Sequence, residues 1–91
     1  MVIISYDIES NKLRNKLAKF IKKFGFRLQY SVYEIVNSER VLNNIISELT
    51  NNFENKFSQA DSVIIFQLSN SCKITRFGFA KNIETNFIIV E

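Results

Sequence analysis

At 91 residues the chain is long enough for a single domain with one small hydrophobic core. Hydrophobic residues make up 46% of it and nine residues are Phe, which excludes a disordered chain and leaves apolar side chains for a subunit interface. The net charge is +3, Cys72 is the one cysteine and there is no His. These counts exclude an internal disulfide, a Cys/His zinc site and nucleophilic catalysis with a His base.

The N-terminal residues predict neither secretion nor membrane insertion. Only a few apolar residues follow Met1, without the basic start and long apolar core of a signal peptide. No run approaches the ~18 apolar residues that a membrane helix needs. A single cysteine also suits a reducing compartment, so we expect a cytoplasmic protein that does not associate with membranes.

The first part of the chain predicts a strand followed by a helix. Residues 2–8 are rich in β-forming residues and predict a buried strand. Ser10 or Asn11 can cap a helix, and Gly25 is its expected C-cap, because glycine adopts the left-handed conformation at little cost. The apolar stripe of this helix recurs at helical spacing and consists of Leu13, Leu17, Phe20, Ile21 and Phe24.

The same helix is strongly basic. Residues 10–33 contain seven Lys or Arg and no Asp or Glu, and a field of one sign favours a polyanion. The alternative is an ordinary solvated helix face. Our candidates for nucleic-acid binding are Lys12, Arg14, Lys16, Lys19 and Lys23, with Lys22 and Arg27 flanking them.

Residues 26–36 form a second β-type region, whose alternation shifts phase near Tyr30-Ser31. One bent strand and two short strands both fit this shift. Asn37-Ser38 can begin a second helix, and its end is weakened by Asn51-Asn52. The predicted buried stripe of that helix is Leu42, Ile45, Ile46, Leu49 and Phe53.

Three further strands are predicted. Asp61 opens a near-continuous apolar run to residue 68, which we expect at the centre of the sheet. A hairpin turn at residues 69–71 leads to a strand over residues 73–79, and a short last strand covers residues 86–90. This order predicts one α+β domain over residues 1–91, a ferredoxin-like βαββαβ sandwich with an extra C-terminal strand.

Asp7 is the most interesting carboxylate, because it ends the first strand just before the basic helix. Such a carboxylate can hold a divalent metal beside a phosphate, or it can simply cap the turn or the helix start. One carboxylate is a poor metal site, which a dimer pairing two copies of Asp7 would remedy. The run Arg76-Phe77-Gly78-Phe79-Ala80 departs from the aromatic motif of RNA-recognition domains in spacing and position, and we assign it to strand packing.

Several segments together resemble the CRISPR-associated protein two family, and the resemblance spans essentially the whole chain. Its most specific part is the Gln-x-Ser-Val-aromatic-Glu stretch, in which Tyr33 stands where the family often has Phe. The segments are Tyr6-Asp7-Ile8, Arg14 with Leu17, Gly25, Gln29-Tyr30-Ser31-Val32-Tyr33-Glu34, and Asp61 followed by Val63-Ile64-Ile65-Phe66.

The resemblance implies a homodimeric scaffold that binds double-stranded DNA and bridges the CRISPR integrase subunits during spacer acquisition. It also implies a metal-dependent endonuclease acting on RNA or double-stranded DNA. Its Mg²⁺ or Mn²⁺ would be shared by the two Asp7 residues of the dimer, which makes Asp7 both the metal ligand and the catalytic residue. The last strand, residues 86–90, would pair across the dimer.

Two other functions stay open at this point. Small toxin ribonucleases share the fold, so a stand-alone, toxin-type metal-dependent endoribonuclease is the main alternative. A small-molecule-sensing regulatory module is the other, and the basic bias of the first helix disfavours it.

Overall fold

The computed structural model describes residues 1–69 and places six main elements in a β-α-β-β-α-β order. A short 3-10 turn, Lys22–Phe24, follows the first helix, and a π turn, Leu49–Phe53, with a 3-10 turn, Glu54–Lys56, follows the second. The main elements are β1 (Val2–Asp7), α1 (Asn11–Ile21), β2 (Gly25–Gln29), β3 (Val32–Ile35), α2 (Glu39–Glu48) and β4 (Ser62–Gln67).

The strands form one sheet in the order β2-β3-β1-β4, and every neighbouring pair is antiparallel. This is the ferredoxin-like arrangement, in which each half of the chain contributes a strand, a helix and a returning strand. The predicted α+β fold class is therefore confirmed. The turn after residue 69, the strands predicted at 73–79 and 86–90, and the run from Arg76 to Ala80 lie outside the described residues.

The core lies between one face of the sheet and the two helices. Strand β1 alternates, so that Val2, Ile4 and Tyr6 face the helices. The apolar stripes of the two helices pack against these strand residues, and Leu17, Ile21 and Ile45 are fully buried. The remaining buried members of this cluster are Ile8, Leu13, Tyr33, Ile35, Leu42 and Phe53.

Serine caps begin both helices, as their sequences predict. The Ser10 hydroxyl accepts the Leu13 N–H at 3.2 Å, and the Ser38 hydroxyl accepts the Val41 N–H at 3.3 Å. Each bond satisfies one backbone donor that the first turn of a helix leaves without a partner.

The β-type region after α1 consists of two strands, which decides between the two alternatives left open by the sequence. Strands β2 and β3 pair as a hairpin around Tyr30 and Ser31, and their register slips between Arg27 and Gln29. The phase shift of the apolar pattern therefore arises from both a tight turn and an adjacent bulge.

The predicted left-handed conformation of Gly25 is wrong, although Gly25 does end the helical segment as the C-cap of the 3-10 turn Lys22–Phe24. Its backbone is extended, with φ −177°, and it begins β2. What requires glycine here is the neighbouring strand: a Cβ would overlap the Glu34 carbonyl and stand 2.9 Å from the Ile35 Cα. Glycine thus allows β2 to approach β3 closely.

One other prediction for the second half needs correction, and one stays a prediction. Within residues 1–69, β4 has β1 on one side. Because the strand predicted over residues 73–79 lies outside the described residues, the central position of β4 in the sheet stays a prediction. Its apolar run divides between two faces: Val63 and Ile65 pack on the core, while Ile64 is 51% and Phe66 43% exposed. Ile46, which we predicted in the buried stripe of α2, is 43% exposed.

Replacing Gly25 by Ala should destabilise the fold, because the new methyl group overlaps backbone that cannot rotate away. We expect a loss of about 2 kcal/mol, in the range typical of overpacking. Urea unfolding followed by circular dichroism measures it. Asn43→Ala, at an exposed position of α2, is the control and should change stability by less than about 0.5 kcal/mol. A Gly25→Ala protein as stable as the control would contradict the close approach of β2 and β3.

Candidate functional site

Asp7 is the last residue of β1 and pairs in register with Ser62. Its side chain is exposed and makes no hydrogen bond or ion pair with any residue from 1 to 69. The helix cap that the sequence also allowed for Asp7 is supplied by Ser10 instead. The Asp7 carboxylate is therefore free to accept a ligand at the end of a rigid strand.

The alternation of β1 places Asp7 on the sheet face that the helices do not cover, together with Ile3 and Ser5. We call this face the open face. Ile3 is buried there by partly buried apolar neighbours, and Phe26, Ile64 and Phe66 remain 45%, 51% and 43% exposed. The partly buried neighbours of Ile3 are Met1, Leu28, Val32 and Leu68.

Besides Asp7, the open face carries a second carboxylate, Glu34. Glu34 pairs in register with Ile3 on one side and with Phe26 on the other. Burial raises the pKa of Glu34 above its ordinary value, and the N-terminal ammonium group offsets part of this increase. The open face thus already excludes some water in the single chain.

The loop that follows Asp7 is held by Asp61. Its Oδ1 accepts the Glu9 N–H and its Oδ2 accepts the Ser58 N–H, both at 2.8 Å. These backbone donors stabilise the carboxylate and lower the pKa of Asp61. The sequence analysis used Asp61 only as the start of a strand. An Asp in a polar loop before a strand is typical of such side-chain-to-backbone caps, and that signal could have identified it.

The Arg14 side chain reaches from α1 to the loop that follows Asp7. Its Nη1 donates to the Ile8 carbonyl at 3.0 Å, and its Nη2 donates to the Asn11 side chain. The guanidinium is half-buried and places a fixed positive charge one residue beyond Asp7 in the chain. Of the five basic candidates, Arg14 is therefore the one whose charge is held beside the Asp7 loop.

Tyr6, next to Asp7, points into the core. Its ring stacks on Tyr33 with centroids 6.1 Å apart. Burial, followed by the influence of Tyr33, raises the pKa of Tyr6 to about 12, and Arg27 and Arg14 oppose the increase. The Tyr6 hydroxyl therefore keeps its proton at neutral pH and cannot act as a general base.

The other four basic candidates are all exposed along α1 and the turn after it. Lys12 and Lys16 line a common pocket with Ser10, Leu13 and Lys56. Lys19 and Lys23 do not line it. Sequence reasoning missed Lys56, because an isolated lysine in the connection from α2 to β4 carries no pattern of its own.

The donor chemistry of Asp7 fits a hard divalent cation, since carboxylate oxygens are the ligands that Mg²⁺ and Mn²⁺ prefer. Within residues 1–69 there is no cluster of three or more His, Cys, Asp or Glu side chains that could hold a metal. One chain therefore offers a single strong ligand, and a second copy of Asp7 is required for a site of two carboxylates.

Among the described residues, no helix has the length and apolar character needed to cross a bilayer.

Comparison with known proteins finds relatives that are similar in sequence and in fold. A CRISPR-associated endoribonuclease Cas2 of Methanospirillum hungatei is 34% identical over 80 residues, which cover 85% of this chain and 84% of the relative. A CRISPR-associated endonuclease Cas2 of Halalkalibacterium halodurans is 31% identical, over 80% of this chain and 78% of the relative. The crystal structure of Streptococcus pyogenes Cas2 aligns with a TM-score of 0.64 at 25% identity, over 77% of this chain and 87% of that chain.

The sequence model of the CRISPR associated protein Cas2 family matches residues 1–76. Since this match includes both helices and all four described strands, the chain belongs to the CRISPR associated protein Cas2 family.

Proposed function

We propose that this chain is a homodimeric CRISPR adaptation protein that binds nucleic acid and bridges integrase subunits during spacer acquisition. We further propose that Asp7 gives the dimer a slow, metal-dependent endonuclease activity. The observation that carries both proposals is the open face, which the helices leave uncovered and on which Phe26, Ile64 and Phe66 are exposed. Asp7 ends β1 on this face, and its carboxylate has no partner among residues 1–69. Dimerisation through that face is the common requirement.

The open face supports dimerisation because it exposes large apolar side chains from two strands. Phe26 belongs to β2, while Ile64 and Phe66 belong to β4 on the far side of the sheet. Several large apolar side chains exposed on one sheet face mark an interaction surface. A two-fold axis through the open face would bury the patch against its own copy and bring the two Asp7 carboxylates toward each other.

The exposed lysines of α1 support binding to a polyanion. Lys12, Lys16, Lys19 and Lys23 line the helix and its final turn, and residues 10–33 contain no carboxylate to compete for them. Contacts from lysine to phosphate release counterions, so the binding is expected to be salt-dependent and tolerant of sequence. Double-stranded DNA is the primary ligand that we propose.

A nuclease activity is supported by the names of two relatives, an endoribonuclease and an endonuclease. A Mg²⁺ or Mn²⁺ ion held by two Asp7 carboxylates would supply an activated water for attack on a phosphodiester. The Asp7 residues would hold and orient the ion, and the apolar face around them would limit the access of bulk water. Because the chain has no His, we expect turnover to be slow.

A stand-alone, toxin-type endoribonuclease is the second candidate. The endoribonuclease from Methanospirillum hungatei favours it, because RNA is the substrate class in that relative's name. This candidate needs Asp7 and a metal but no integrase. Loss of Asp7 would therefore abolish its whole function, whereas in the scaffold proposal it would abolish only cleavage.

Asp7→Asn should remove metal-dependent cleavage while leaving the dimer, DNA binding and spacer acquisition intact. The substitution keeps the side-chain shape and removes the charge that a cation needs. Loss of an outer-shell partner of a metal typically costs about 10–100-fold. Asp7 would bind the metal directly, so we expect the cleavage rate to fall by more than this. Cleavage of RNA and of duplex DNA with Mn²⁺, alongside a spacer-acquisition assay, measures both roles.

The matched control is Glu9→Gln, which neutralises an exposed carboxylate two residues further along the chain, in the loop that follows β1. It should cleave at the wild-type rate. Cleavage that survives in Asp7→Asn would contradict the assignment of Asp7. Loss of spacer acquisition in a folded Asp7→Asn dimer would favour the enzyme over the scaffold.

Phe66→Lys and Ile64→Lys should each convert the dimer to a monomer, because each places a charge within the proposed interface. Both side chains are already exposed in the single chain, so the fold should tolerate them. Ile46→Lys is the control, since Ile46 is as exposed as Phe66 but belongs to the helix layer. Sedimentation velocity measures the masses. Dissociation by Ile46→Lys alone would move the interface to the helices.

Lys19→Gln should weaken binding to all duplex sequences alike. Removing one phosphate contact lowers the slope of log affinity against log salt concentration by about one. Fluorescence anisotropy at several salt concentrations measures the slope. Arg40→Gln, an equal change of charge on α2, should leave it unchanged. Equal slopes for the Lys19→Gln and wild-type proteins would place the nucleic acid elsewhere.

A further inference from the structure

Three lysines from two distant parts of the chain meet in one pocket. Lys12 and Lys16 lie one turn apart on α1, and Lys56 ends the 3-10 turn Glu54–Lys56 before β4. Together with Ser10 and Leu13 they line a pocket of about 370 Å³. The pocket is distinct from the open face, because α1 lies on the opposite side of the sheet.

The charges in this pocket are not balanced. Within the described part of the chain, the residues that line it include no carboxylate. The close approach of Lys16, followed by desolvation and then by the charge of Lys12, lowers the pKa of Lys56. The chain thus places ammonium groups where they repel each other, although their long, exposed stems could separate them.

An anion between the three lysines would reverse this effect. It would turn repulsion into charge-assisted hydrogen bonds, for which each ammonium supplies three donors. The Ser10 hydroxyl accepts the Leu13 N–H and still has its own proton to donate into the pocket. The pocket therefore offers four donor side chains and three positive charges to a single small anion.

The arrangement of the three lysines indicates which class of anion the pocket would bind. A row of separate lysines, such as Lys19 on α1 and Lys23 in the turn after it, suits successive phosphodiesters, each of which carries one negative charge. Three converging lysines suit one group with more charge. A terminal phosphomonoester carries a charge of about −1.5 to −2 at neutral pH and has three acceptor oxygens.

We infer that Lys12, Lys16 and Lys56 form a binding pocket for the terminal phosphate of a nucleic-acid strand. This inference rests on the proposed nucleic-acid binding and adds an end-specific contact to it. Lys56 is the residue that distinguishes the pocket from the basic row of α1, because it alone comes from the second half of the fold.

The first experiment uses inorganic phosphate and the whole chain, without metal or nucleic acid. Phosphate should give saturable NMR shifts at Ser10, Lys12, Lys16 and Lys56. Lys56→Gln should weaken the affinity about tenfold, in line with the loss of one charge-assisted hydrogen bond. Lys19→Gln, also exposed and on α1 but outside the pocket, should leave phosphate affinity unchanged. Non-saturating shifts, or equal losses in the two variants, would overturn the pocket.

The second experiment compares an oligonucleotide that has a terminal phosphate with the same oligonucleotide ending in a hydroxyl. The wild-type chain should prefer the phosphorylated one about tenfold, and Lys56→Gln should abolish the preference. If Lys56→Gln weakens both ligands equally, the pocket holds internal phosphodiesters and the end-specific inference is wrong. Neither experiment requires cleavage, so a failure of the nuclease proposal would not affect them.

Discussion

The two helices cover only one face of the sheet, and most other features of the molecule depend on this constraint. Strand β1 runs through the sheet with β3 and β4 as neighbours, so its alternate side chains must be distributed between two environments. Val2, Ile4 and Tyr6 anchor the helices, while Ile3, Ser5 and Asp7 face the uncovered side. The strand that organises the core thereby delivers a carboxylate to the open face, and the helices cannot cover that carboxylate.

The connection after β1 shows how the same fold supports a site. Asp61 fixes the loop from the α2–β4 side through the Glu9 N–H, and Arg14 fixes it from α1 through the Ile8 carbonyl. Both groups are charged, and bonds to charged groups are stronger than bonds between neutral ones. Asp7 therefore precedes a loop that is tied down on both sides, which is what a precise ligand position requires.

Local features of the sequence predicted the fold well, and long-range contacts account for the errors. The caps at Ser10 and Ser38 and the stripes of both helices follow from spacing alone. Gly25 was misassigned because its requirement comes from the Glu34 carbonyl on another strand. Lys56 could not be found, because its partners lie some forty residues earlier on α1.

The central claim is that two chains join through their open faces and share one cation between two Asp7 carboxylates. Electron paramagnetic resonance of bound Mn²⁺, titrated at known chain concentration, tests it most directly. We expect one Mn²⁺ for every two chains, and no tight site in Asp7→Asn. One Mn²⁺ per chain, or a site that persists in Asp7→Asn, would contradict it.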